Sequence, residues 1–359
     1  MDISALEEIF QKEPKYRLKQ AKEAVFKNFI SDWSEATFFT KELRAELNKE
    51  CPLKIAADVL VSKKQESTKA RITLNDGLKI ESVLMRHRDG RNTVCVSSQV
   101  GCPLGCLFCA TGKIGFKRNL SVNEIIEQVV FFNRYLKKTI LSEAEGSFQR
   151  ITNATFMGMG EPFLNYENVL EAIRTLNSKE YFNIGARSIS ISTAGILEGI
   201  EKLSREGLQL NLAVSLHAPN NKIRSELMPI NKKYSLIEIL KSVDDYIKKT
   251  NRKVMFEYVL IKDANDSDEC AKELAMLMKN KLYFLNLILY NPTLRRGSGQ
   301  AGNFSAQGGP ASVWKPSDTK RVESFKRILK KQRVNFVQRY RFGDDIKAAC
   351  GQFSGEQRE

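Results

Sequence analysis

No stretch of this chain approaches the ~20 consecutive apolar residues that cross a bilayer, which argues against a membrane protein. Its first residues, Met1-Asp2-Ile3-Ser4-Ala5-Leu6-Glu7-Glu8, lack the basic-then-apolar order of a secretory signal. Cysteine is present seven times, an odd number with three residues clustered, so a secreted disulfide framework is not indicated. The expectation is a reduced, cytoplasmic protein. Histidine is almost missing, with only His87 and His217. Acidic residues are short against basic ones, 42 against 57, leaving a net charge of +15. Such an excess attracts polyanions, and nucleic acid is the usual partner. With 359 residues, 42% of them hydrophobic, the chain can build a substantial core in one large or two moderate domains.

What the chain does have is Cys102, Cys106 and Cys109 in the run Val100-Gly101-Cys102-Pro103-Leu104-Gly105-Cys106-Leu107-Phe108-Cys109-Ala110. A packing cysteine needs no fixed spacing. Three thiolates this close can converge on one soft metal centre, and Gly101, Pro103 and Gly105 let the backbone curl around it. Structural zinc normally closes with four Cys or His ligands. A [4Fe–4S] cluster held by three cysteines leaves one iron free to bind something else. A zinc-containing RNA-binding protein, with His217 or His87 as fourth ligand, stays open on this evidence.

Residues 1–50 read as a helical accessory unit, with apolar stripes through Ala24, Val25, Phe26 and through Phe39, Leu43, Leu47. Residues 51–92 read as a hairpin adaptor turning at Asn75-Asp76-Gly77. From 93 to 294, strand and helix patterns alternate in six βα units, which implies a parallel α/β sheet, open or curled into a partial barrel. Polar clusters follow the strands, where such barrels place their chemistry: the cysteines, Gly158-Met159-Gly160-Glu161-Pro162, Ser192-Thr193, Ser215-Leu216-His217 and Asn291. Residues 295–317, rich in Gly, Ser, Gln and Ala, read as a flexible insertion without a core. Residues 318–359 supply a last helix, a strand and Cys350.

The C-x3-C-x2-C loop and the Gly-Met-Gly-Glu-Pro segment resemble radical S-adenosylmethionine (SAM) enzymes. Cys95 through Cys102, Phe156 through Pro162, Ser215 through Asn220, Met228-Pro229-Ile230-Asn231 and Gly343-Asp344-Asp345-Ile346 through Gln352 are similar to the RlmN/Cfr family of adenine methyltransferases. The likeness spans nearly the whole chain. It implies a partial (βα)6 radical SAM barrel with an N-terminal helical domain. Cys102, Cys106 and Cys109 would hold a [4Fe–4S] cluster, and Gly160, Glu161, Ser192, Ser215, Leu216, His217 and Asn291 would contact SAM.

The resemblance also implies the chemistry. Cys350 takes a methyl from one SAM, and a radical made from a second SAM removes hydrogen from that methyl. The carbon radical then adds to an electron-poor adenine carbon. Cys95 resolves the adduct through a transient disulfide with Cys350, and Glu81 is the proton acceptor. The implied substrates are 23S rRNA and certain tRNAs, at adenine C2. Pro162 after Glu161 and Gly-Asp-Asp before Cys350 look like the C2 branch; the Cfr branch methylates C8 of the same rRNA adenosine and confers antibiotic resistance. An electron donor such as flavodoxin or ferredoxin and a monomeric state complete the expectation. Arg339, Arg341 and Lys347 are read as residues able to steer a phosphate backbone.

Overall fold

The computed structural model describes residues 3–142, 149–292 and 314–353. Three helices open the chain, α1 (Ile3–Ile9), α2 (Lys15–Phe26) and α3 (Lys41–Glu50). The stripe of α2 buries Ala21, Ala24, Val25 and Phe26, while Thr40 caps α3 by accepting from Leu43 N. Trp33 is fully enclosed, and its indole N–H donates to Cys51 O at 2.8 Å, which satisfies the one polar atom it buries.

Strands β1 (Ala56–Val61), β2 (Ser67–Thr73) and β3 (Lys79–Arg86) form an antiparallel meander. Gly77, at φ +79°, supplies the left-handed residue that the Asp-Gly turn between β2 and β3 requires. β3 pairs antiparallel with β4 (Asn92–Cys95). A small hairpin follows, β5 (Gln99–Gly101) and β6 (Phe116–Asn119), with the one-turn helix α4 (Ala110–Lys113) between them. The long helix α5 (Val122–Ser142) opens on a capping box: Glu124 N donates to Ser121 Oγ and Ser121 N to the Glu124 carboxylate. It buries Ile125, Ile126, Val129, Val130, Phe132 and Leu136, each worth about 1.5–3 kcal/mol of transfer free energy.

The alternation then runs β7 (Asn153–Phe156), α6 (Tyr166–Asn177), β8 (Ile189–Thr193), α7 (Leu197–Leu203), β9 (Asn211–Ser215), α8 (Asn221–Leu227), α9 (Leu236–Thr250), β10 (Val254–Leu260), α10 (Asp268–Leu277), β11 (Tyr283–Leu289), α11 (Thr319–Lys331) and β12 (Phe336–Gln338). The sheet order is β1-β2-β3-β4-β7-β8-β9-β10-β11-β12. From β4 to β12 every neighbouring pair is parallel. Six of those strands are the βα units read from the sequence, and β12 extends the far edge. Residues of β3, β4 and β11 line one cavity, so the sheet is curled rather than flat.

Some boundaries differ from the sequence reading. The strand entering the cysteine loop ends at Cys95, and the backbone resumes pairing only in the hairpin β5–β6. Residues 295–313 of the expected insertion lie outside the described residues. Its end is not bare of packing: Lys262 N donates to Lys315 O at 3.0 Å, and Trp314 sits edge-on to Tyr290. No helix among the described residues is long and apolar enough to cross a membrane.

Candidate active site

The cysteine loop is held from three sides. Cys102 N donates to Gly115 O at 3.0 Å, tying the loop to its hairpin. Leu107 N donates to Leu227 O at the end of α8, and Ala110 N to Gly351 O at 2.7 Å. Gly101, at φ +77°, makes the approach possible, because a Cβ there would stand 1.8 Å from Gly115 O.

Cys102, Cys106 and Cys109 face one cavity of about 170 Å³. Gly160, Glu161, Ser192, Ser215, His217, Asn291 and Cys350 line the same space. Seven strand-end or loop positions separated widely in sequence therefore meet around the cysteines. Leu216 does not line it; its side chain is buried in the hydrophobic core, and its N–H donates to Glu257 O at 3.0 Å. Among the described residues no three metal-binding side chains are already drawn together as a ligand set. Burial pushes the Cys102 thiol up to about 12 and the Cys106 thiol well above its ordinary value. A metal centre must displace those protons, as thiolate ligands require.

Around the thiols the polar groups are specifically arranged. Gly160 has φ +100°, and a Cβ there would meet Gln99 Cβ at 2.5 Å. Gln99 Oε1 in turn accepts from Glu161 N at 2.8 Å. The buried Glu161 carboxylate accepts from Ala194 N at 2.7 Å and Phe163 N at 3.1 Å. Burial still outweighs these bonds and raises its pKa to about 7. His217 adopts φ +56° and its Nδ1 accepts from Val259 N at 3.1 Å. The proton must then sit on Nε2, and burial, helped by Arg224, holds the ring neutral with a pKa near 3. Asn291 donates through Nδ2 to Cys350 O at 3.1 Å, while its buried Oδ1 has no partner among the described residues. An orphaned acceptor facing a cavity with a hydroxyl-bearing Ser192 and Ser215 suits a polar, cationic ligand. Three soft thiols on one loop suit an iron–sulfur cluster with an open position.

A larger cavity, about 640 Å³, adjoins the first. Cys95, Cys350, Asn291 and Arg339 line it, together with Arg86, His87, Arg88, Arg91, Tyr340, Arg341 and Phe342 at its mouth. Cys350 opens onto both cavities and Cys95 onto the larger one. Burial pushes the Cys350 thiol up, and Arg339 pulls it back down. Burial does the same to Cys95. The Arg339 guanidinium reaches Glu257 at 3.4 Å, and Glu257 is fixed by Asn286 Nδ2 at 2.8 Å. Arg339 is thus committed to the site interior. Glu81 lies elsewhere: it lines neither cavity, is buried rather than solvated, and pairs with Lys69 Nζ at 3.1 Å. It shares a strand face with Val83 and Met85, which do line the larger cavity.

Sequence reasoning missed Glu257, Arg224 and Gln99. Glu257 had a signal, a lone carboxylate inside the apolar strand Val254–Leu260. Arg224 had none.

Residues 96–274 match the profile of the Radical SAM superfamily. With three cysteines at the end of the first parallel strand, the fold and site define a radical SAM enzyme. The chain is 41% identical to the probable dual-specificity RNA methyltransferase RlmN of Dictyoglomus thermophilum, over 98% of this chain and 94% of that one. Its identity to the RlmN of Thermotoga petrophila is 44%, over 94% and 91%. The crystal structure of a radical SAM methyltransferase from Sphaerobacter thermophilus superposes with a TM-score of 0.88 at 39% identity, covering 99% of this chain and 98% of that one. The chain belongs to the RlmN family of radical SAM RNA methyltransferases.

Proposed function

We propose that the protein methylates C2 of adenosine 2503 in 23S rRNA and of adenosine 37 in certain tRNAs, through a methyl group carried on Cys350. The observation that carries this reading is the placement of Cys350, which opens both onto the three-cysteine cavity and onto the larger cavity that also holds Cys95. A methyl loaded from the first side can be delivered to a base entering from the second.

Cys102, Cys106 and Cys109 would hold a [4Fe–4S] cluster, and Gly160, Glu161, Ser192, Ser215, His217 and Asn291 would hold SAM, with Leu216 packed in the core behind them. When bound, these groups supply the one-electron chemistry that activates an unreactive carbon–hydrogen bond. The chain's own contribution is positioning. The close approach of Gly160 to Gln99 sets the backbone that carries Glu161, whose carboxylate would suit the SAM ammonium group. His217 donates only from Nε2, and the Asn291 side chain tethers the Cys350 backbone. Cys350 must lose its proton to accept a methyl, and the Arg339 charge favours that loss. Cys95, on the same cavity, is placed to release the product by disulfide formation with Cys350. Glu81 is the proton acceptor in this reading, once freed from Lys69.

The basic and aromatic mouth of the larger cavity suits an unstacked nucleotide of RNA. The protein would work as a cytoplasmic monomer with flavodoxin or ferredoxin as electron donor, with residues 1–50 as an accessory domain, 51–92 as an adaptor and 93–294 as the barrel. The deciding experiment reconstitutes the protein without oxygen, supplies SAM, reductant and 23S rRNA, and maps the modified nucleoside by mass spectrometry. 2-Methyladenosine is expected. 8-Methyladenosine would assign the Cfr chemistry, and a colourless protein with zinc and no methylation would overturn the proposal.

A further inference from the structure

Arg224, on α8, is completely buried. Its guanidinium donates to Leu216 O at 3.2 Å, Asn231 Oδ1 at 2.9 Å, Tyr234 O at 3.4 Å, Ala194 O at 2.6 Å and Ser215 O at 3.1 Å. Every acceptor is uncharged, and it forms no ion pair among the described residues. Hydrogen bonds of this kind satisfy its N–H groups but leave a full positive charge inside the protein, which costs several kcal/mol when nothing compensates it. Burial lowers its pKa only to about 10, so the charge persists at neutral pH.

The missing negative charge has a location. α8 ends on the cysteine loop, where Leu227 O accepts from Leu107 N, between Cys106 and Cys109. The carbonyls that Arg224 grips belong to the strand ends whose residues Ala194 and Ser215 line the cysteine cavity. The thiols are neutral while protonated, and become a concentrated negative charge once they ligate a metal.

We propose that Arg224 is a positioning residue whose buried charge is matched by the thiolates of the loaded iron–sulfur centre, and that it raises the reduction potential of that centre. This rests on the iron–sulfur reading above. A cation behind the ligands favours the more negative, reduced state, since cluster potentials follow local net charge. A purely structural clip would hold the strand ends together and leave the potential alone.

The test uses reconstituted full-length protein and the variants Arg224→Gln, Arg224→Lys and Asn231→Asp. Cluster midpoint potential is read by a redox titration followed by electron paramagnetic resonance, and melting temperature is read on cluster-free protein. Arg224→Gln removes the charge and should lower the midpoint. Asn231→Asp sets a carboxylate against the guanidinium, cancels the charge without removing Arg224, and should lower the midpoint, although it gives up the Asn231 Nδ2 bonds to Asn221 O and Ser225 Oγ. Arg224→Lys cannot span the five acceptors and should melt lower, yet keep the wild-type midpoint. Wild-type midpoints in both Arg224→Gln and Asn231→Asp, at unchanged iron and sulfide content, would overturn the proposal. So would a midpoint in Arg224→Lys as low as in Arg224→Gln. If Arg224→Gln does not fold, Asn231→Asp decides alone. Wild-type protein that takes up neither iron nor sulfide fails the iron–sulfur reading itself, a distinct result.

Discussion

Glu161 offers a prediction that can be worked through from its surroundings. Its carboxyl is buried beside the cysteines, accepts two backbone N–H groups, and has a pKa raised by burial from 4.5 to about 7. A carboxyl with a raised folded-state pKa holds its proton more tightly folded than unfolded. Its contribution to stability is therefore complete below pH 4.5 and is lost as pH rises through about 7. At about 1.4 kcal/mol per tenfold change in proton affinity, the loss amounts to about 3 kcal/mol. Glu161→Gln fixes the neutral form at every pH. It also turns one acceptor into a donor facing the N–H of Phe163 or Ala194, a mismatch that costs about 1–3 kcal/mol regardless of pH.

The variant should then be about 1–3 kcal/mol less stable than wild type at pH 5 and equally or more stable at pH 8. Urea denaturation of metal-free, SAM-free protein kept under thiol reductant at pH 5, 6.5 and 8 measures this. Every other titrating group cancels in the variant-minus-wild-type difference. A difference that stays constant from pH 5 to pH 8 refutes the assignment of a burial-raised carboxyl at this position.

Other outcomes follow from the same geometry. Gly101→Ala puts a Cβ 1.8 Å from Gly115 O at φ +77°; strain and overpacking together should cost about 2–6 kcal/mol, seen as a lower melting temperature and lower iron uptake. Cys350→Ala should abolish RNA methylation with iron content unchanged, whereas Cys95→Ala should accumulate a covalent RNA–protein adduct visible on a denaturing gel. Glu81→Gln strands the buried Lys69 charge and should cost about 3–5 kcal/mol, while adding Lys69→Met should restore most of that loss in a thermal melt. RNA affinity should fall steeply with salt on a double-logarithmic plot, since the net charge is +15; Arg88→Ala at the cavity mouth should reduce that slope, and an unchanged slope removes Arg88 from the interface.

The parts of this fold that were legible in the sequence are those where one residue pattern answers to one physical demand. Parallel strands buried on both faces read as apolar runs, so the strand–helix alternation over 93–294 is legible and β8 to β11 fall within it. The Asp-Gly turn carries a local mechanism and forms where the sequence puts it, with Gly77 in the left-handed region. The cluster loop was visible because thiol spacing is a chemical constraint before it is a structural one. The hairpin β5–β6 escaped notice because Phe116-Lys117-Arg118-Asn119 is mostly polar and pairs with only three residues, too few for alternation to register.

The site divides along the same line. Glycines and carboxylates set in strand-end motifs could be assigned to a cavity before any coordinates, because close approach and charge are properties of the residue itself. Arg224 and Arg339 could not. Each lies in a segment whose composition is that of an ordinary solvated surface, Asn221–Leu227 and the stretch after β12. Arg339 reads as a phosphate-steering side chain, yet it turns inward to Glu257 on β10, two strands away in the sheet. What turns an arginine inward is the set of acceptors waiting for it, and those come from other elements: Ala194, 30 positions before Arg224, and Glu257, 82 positions before Arg339. The thiols, glycines and carboxylate of the candidate site are thus written in short motifs, while the buried charges around them come together only after the sheet has closed.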